Sequence, residues 1–243
     1  MKRAPLVLAV LAAGALLAAG CGKDDAIPAS AGAPTTSTSE GDTTSSSTGD
    51  STTTTAAAEE GDTGASEAAG LRADLAALLD EHTYLTGITV SRLVAEGATG
   101  AGATAAAEAL DANSAALGDV VSSGFDPNVG EDFLRLWRGQ VTDYVDYANA
   151  RVANDAAGAG TATAALDTFR SDTADLFEQA SEEAISADQV AEGLNTHVQS
   201  VLAAIDATVA NSPDAVTLLA QAASSAPDSA EVWARGMTAG AEA

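Results

Sequence analysis

From Glu67 onward, large apolar side chains return every three or four residues, and one-in-two alternation of β-branched residues is absent. That spacing lines up one face of an α-helix rather than one face of a strand. Leu71, Leu75, Leu78, His82, Leu85 and Thr89 form one stripe and predict a first helix from about 68 to 96, stopping near Gly97. A Gly/Ala/Thr linker through Thr104 then leads to a second helix, with Leu110, Leu117 and Val121 in register and an end near Gly124. Asp126-Pro127-Asn128 opens a third, because proline presets φ at a helix start and Asp or Asn caps it. Its stripe is Phe133, Leu136, Trp137, Gln140, Tyr144 and Ala148. The fourth is expected after Gly158-Ala159-Gly160, carrying Leu166, Phe169, Thr173, Leu176 and Phe177. Ser186 with Gln189 reads as a capping box for a fifth, whose stripe is Val190, Leu194, His197, Val201 and Ile205. Ser212-Pro213-Asp214 starts the sixth, and Pro227 is expected to break it, leaving a short last helix with Val232, Trp233 and Met237.

The stripes repeat. A shift of 58 lays Leu75 on Phe133, Leu79 on Trp137, His82 on Gln140 and Val94 on Val152. A further shift of 57 brings in Val190, Leu194, His197 and Val209. The second arms follow more loosely, with Ala109-Leu110-Asp111 matching Ala165-Leu166-Asp167. Each hairpin has an apolar face that its neighbours alone can cover. The expected fold is therefore all-α: an up-and-down helical bundle of three tandem helical hairpins, about six to seven helices, over residues 67–243. Alanine is so frequent that many contacts must be Ala on Ala, which brings helices close while burying little area per residue.

The chain ahead of the bundle has a different texture. Lys2 and Arg3 precede an apolar run through Leu6-Val7-Leu8 and Leu16-Leu17, closing on Ala18-Ala19-Gly20-Cys21. A basic start, a short apolar stretch and small residues before a cut make a secretory signal, and about 17 residues is the lower edge for a membrane span. Ala18-Ala19-Gly20-Cys21 resembles the lipobox of bacterial lipoproteins, with Ala18 where Leu is more usual. The resemblance implies cleavage of residues 1–20, lipidation (palmitate class) of the Cys21 sulfur, and a membrane-anchored protein at the extracytoplasmic cell surface. Residues 21–66 hold Ser45-Ser46-Ser47 and Thr52-Thr53-Thr54-Thr55, and Ile27 is the sole large apolar residue among them. Such a segment buries too little to offset its ordering entropy, so it reads as a disordered Ser/Thr-rich tether. Its reach is roughly 35–40 Å.

Charge narrows the partners. Loss of residues 1–20 removes Lys2 and Arg3 and no carboxylate, so the mature chain carries 8 − 35 = −27. Nucleic acid is not an expected partner, because no basic patch exists to neutralise phosphates. Cys21 is the one cysteine, so no disulfide forms within the chain. No phosphate loop, dinucleotide fingerprint, nucleophile elbow, CxxC pair or HExxH occurs, and no catalytic residue is assigned.

The two histidines, His82 and His197, occupy one repeat position, and Gln140 holds it in the middle copy. Asp80, Glu81, Tyr84 and Tyr144 lie near them in sequence or in register. Two imidazoles with carboxylates on packed helices make a candidate copper or zinc site. The expectation is nevertheless that both are buried structural histidines, with the metal site as the alternative, since no copy offers a ligand pair three or four residues apart.

Glu81-His82-Thr83-Tyr84-Leu85, Leu136-Trp137-Arg138 with Tyr144-Val145-Asp146-Tyr147, and Leu194 with His197-Val198 resemble a group of uncharacterised secreted bacterial helical repeat proteins. The resemblance covers roughly residues 71–225 and implies no activity; Gln140 stands where that group has a histidine. The sequence reading is thus a lipid-anchored extracytoplasmic helical module, not an enzyme, binding an unknown protein or small molecule. Its alternative is a copper or zinc protein using His82 and His197.

Overall fold

The computed structural model describes residues 60–239. Cys21, the signal segment 1–20 and the tether as far as residue 59 lie outside the described residues. The described residues form seven helices and no strand: α1 (Glu60–Glu96), α2 (Ala101–Gly124), α3 (Pro127–Val152), α4 (Ala156–Ala180), α5 (Ala187–Val209), α6 (Ala215–Ala223) and α7 (Ala226–Ala239). They pair as three hairpins in an up-and-down bundle, α1 with α2, α3 with α4, and α5 with α6. The bundle closes because α7, α5 and α6 all pack on α1.

Local chemistry explains most boundaries. The Asp126 carboxylate accepts the N–H groups of Asn128 and Val129, and Pro127 follows it at the first helical position of α3. Ser186 and Gln189 exchange both bonds of a capping box at α5. Each first arm is followed within two residues by a left-handed residue: Gly97 at φ 77°, Asn154 at 54° and Asn211 at 51°. Glycine and asparagine are the residues that tolerate this conformation, and the reversal lets free carbonyls of the last turn find donors. Asp155 N–H accordingly donates to the Ala150 carbonyl and Ser212 N–H to the Ala207 carbonyl, both at 2.8 Å.

Four boundaries depart from expectation. α1 begins at Glu60, inside the stretch assigned to the tether, and α2 begins at Ala101 rather than after Thr104. Neither extension needs an apolar stripe, and alanine-rich or acid-led sequence supports a helix N-terminus without one. α4 begins at Ala156 because the Asp155 side chain caps it, so Gly158 and Gly160 lie within its first turns. The break between α6 and α7 falls at Ser224-Ser225, ahead of Pro227, which sits in the first turn of α7 where a missing N–H costs nothing.

The core has two parts. One is aromatic: Phe133, Trp137, Phe169, Phe177 and Trp233 stack in edge or offset contacts with ring centroids 4.9–5.7 Å apart. The other is aliphatic and alanine-rich, with Val90, Leu166, Val201 and Ile205 packed among Ala148, Ala150, Ala159 and Ala162. The helices at the α2–α3 corner touch backbone to backbone. A Cβ on Gly130 would collide first with the Ser122 side chain and would also stand 2.9 Å from the Gly118 carbonyl oxygen.

Candidate functional site

The repeat register maps onto burial. Leu75, Phe133 and Val190 are buried, as are Leu79, Trp137 and Leu194 one turn later. Next come His82, Gln140 and His197, also buried, which places three polar side chains in the middle of the bundle. This is the position the sequence marks as a candidate site, and the two imidazoles do come together, with ring centroids 5.9 Å apart.

Their surroundings set their chemistry. The Trp137 indole N–H donates to His82 Nδ1 at 3.2 Å, with the rings 4.7 Å apart. An indole nitrogen has a proton to give and no lone pair. His82 Nδ1 is therefore the accepting nitrogen, and the neutral ring keeps its proton on Nε2. That Nε2, like Nε2 of His197, has no protein partner. Gln140 donates its amide to the Tyr144 hydroxyl at 3.2 Å, while its Oε1 is unpartnered. Tyr144 in turn meets the His197 ring at 6.4 Å. Burial drives the protonation state. It pushes His82 well below the ordinary imidazole value, with His197 adding to the shift, and it lowers His197 to about 4. Burial also raises the Tyr144 phenol, against a smaller opposing pull from Gln140. Both rings are neutral at pH 7.

The carboxylates expected nearby stay outside. Asp80 and Glu81 are exposed, Glu81 accepting from the Asn113 amide at 2.9 Å, and Tyr84 is on the surface. Helical geometry explains this, because residues one or two positions from His82 point away from its face. No group of three or more His, Cys, Asp or Glu side chains that could hold a metal occurs among the described residues. Glu182 and Glu183 are likewise solvent-exposed, in a turn with both residues at positive φ.

Sequence reasoning misses Trp137 as the partner of His82, since the two lie on different stripes and their contact is set by packing. It also misses the groove between α1 and α6, of about 540 Å3, floored by Gly87 and Leu219 and rimmed by Ile88, Val94 and Val216. Ile88 is 47% and Val216 77% exposed. Exposed valines at loosely spaced positions leave no periodic trace, so the signal available in sequence was only a local lack of acids. No family model, curated protein or solved structure matches this chain.

Proposed function

We propose that the chain is a lipid-anchored extracytoplasmic binding or interaction module, exported by residues 1–20, held at Cys21 and presented on a Ser/Thr-rich tether. The observation that carries the binding role is the α1–α6 groove. It has no carboxylate among its lining residues in a chain with 35, and Arg92, its one charged lining residue, is paired with Glu96 at 3.1 Å. A partner settling there desolvates apolar rim side chains rather than carboxylates, which is the inexpensive way to bury surface on an acidic protein.

Fractionation of producing cells tests the reading, with a photo-crosslinking residue in place of Val216. The parent should partition with membranes and give a discrete adduct that Ile88→Glu removes. Cys21→Ala should leave the membrane fraction or remain uncleaved. Unchanged membrane partitioning and cleavage in Cys21→Ala defeats the anchor, and an adduct insensitive to Ile88→Glu defeats the groove.

The 5.9 Å approach of His82 and His197, each with an unpartnered Nε2, favours a second reading as a copper or zinc protein. The Trp137 bond weighs against it. A ligating histidine normally donates from its second nitrogen, whereas His82 accepts there and holds its proton on the nitrogen a metal would need. Metal content of protein purified without added metal separates the two readings.

A further inference from the structure

Between α1, α3, α5 and α7 a cavity of about 10 Å3 lies against His197. Trp137, Leu194 and Trp233 form its apolar walls, and Ser225 and Ser229 supply its other polar groups. One water needs roughly 10–15 Å3 and about two to four polar partners. Here the His197 ring and two serine hydroxyls offer three. Ser225 gives its proton to the Ala222 carbonyl at 2.9 Å, leaving its lone pairs to accept. His197 Nε2 has no protein partner and is itself closed to solvent, so the ring meets this space through its other atoms.

The cavity is not isolated. A groove of about 260 Å3 between α5 and α7 shares Ser225, Ser229 and Trp233 with it. Gln189, Glu192, Thr196 and Asp228 line the solvent side of that groove. The shared residues border both spaces, and we take them as a polar track toward His197, which keeps 7% exposure where His82 has none. His82 is fully buried and borders neither space.

We infer that this track holds an internal water bound to His197, and that it keeps His197, but not its repeat partner His82, in exchange with solvent. The cavity has room for one molecule of water size, and its groups offer both protons and lone pairs, as water requires. A larger polar ligand has no space behind Ser225 and Ser229. The inference concerns the histidine layer and stands apart from the α1–α6 groove.

Deuterium exchange at the imidazole Cε1–H, followed by mass spectrometry on the mature chain at neutral pH, is read at each ring separately; it passes through the protonated ring, so access is judged chiefly from the change each track variant makes against the parent. His197 should exchange at least about tenfold faster than His82, since a sealed group waits for local opening. Gly193 lies on the wall of the track, where an added Cβ would sit 3.3 Å from Ser229 Oγ. Gly193→Val should therefore slow His197 several-fold and leave His82 unchanged. Ser229→Leu narrows the same track from α7 and gives a second reading should the valine variant not fold. Equal rates for the two histidines in the parent overturn the inference, as does a His197 rate untouched by narrowing from either side. Stoichiometric copper or zinc lost on His197→Gln would place a metal where the water is assigned.

Discussion

The two halves of the core differ in their largest members: the first holds the Phe and Trp rings, the second is richer in alanine, with Tyr144 and Tyr147 as its aromatics. Around Phe133, five large aromatic side chains fill the space between helices, and the stability there comes from area. Around Leu166, alanines on α3 and α4 let the helices approach closely, so contact is intimate but each residue contributes little. Aromatic side chains bury about 150–250 Å2 each, while alanine brings one methyl. Between the halves lies the layer of His82, Gln140 and His197, with Tyr144 reaching into the aliphatic side and Trp137 into the aromatic side. One repeated helix pattern thus supports an end rich in Phe and Trp, a polar middle and an alanine-rich end. Its last register position, Val94, Val152 and Val209, lies outside the buried set.

Truncation should separate the halves most strongly. Phe133→Ala removes a ring that stacks on Trp137 and Phe177 and meets Trp233 edge-on. It should cost about 3–5 kcal/mol, read as a fall in urea midpoint at unchanged slope. Leu166→Ala, also fully buried, should fall near the lower end of the roughly 2–5 kcal/mol range, because the small neighbours of α3 and α4 can close in. Equal losses at the two sites break the comparison.

Acidification tests the polar middle. Both imidazoles have depressed folded values, so the unfolded chain binds more protons between the ordinary value near 6.5 and the folded value. Stability is therefore intact above about pH 6.5 and falls as pH drops toward 4, by roughly 3 kcal/mol for His197 alone. Asp143 opposes this. Burial, with Asp146 adding, raises its carboxyl to about 6, so it favours the folded state increasingly as pH falls from 6 toward 3.8. That carboxyl is more than half solvated, and screening shrinks its share. Two fully buried rings should prevail, giving a lower melting temperature at pH 4.5 than at pH 7. Asp143→Asn should steepen the loss and His82→Gln should shallow it. A melting temperature that holds steady to pH 4.5 in all three proteins removes the neutral-imidazole layer.

How much of this was legible follows from which interactions are local. Asp126-Pro127 and Ser186 with Gln189 fix their helix starts through bonds spanning two or three residues, and the sequence shows both. Asp155 carries an equally local cap, but the glycines of Gly158-Ala159-Gly160 compete with it as a boundary signal. The Gly97, Asn154 and Asn211 series is also present in sequence, as small or polar residues just past each first-arm valine. The register places His82, Gln140 and His197 at one level of the bundle; that the two imidazoles meet comes from the packing of α1 on α5. Their proton arrangement is not legible either, because the direction of the Trp137 N–H depends on how α1 and α3 settle against each other. Nor does sequence order place Asp80 and Glu81, which are adjacent to His82 along the chain and face away from it.

The smallest effect sharpens the contrast from the other side. Val152 holds the same register position as Val94 and Val209, yet it is 51% exposed, whereas Phe133, nineteen residues earlier on the same helix, has no exposure at all. A valine half in water has little transfer energy left to lose, and Val152→Asn adds a polar group at a place where water reaches it. It is also the last residue of α3, two positions before the left-handed Asn154, so lower helix propensity matters least there. The substitution should change stability by no more than about 0.5 kcal/mol in either direction. Measured beside Phe133→Ala under the same denaturant conditions, it sets the floor of the scale. A loss above about 1 kcal/mol would mean that the valine end of the bundle is covered in solution and carries packing energy of its own.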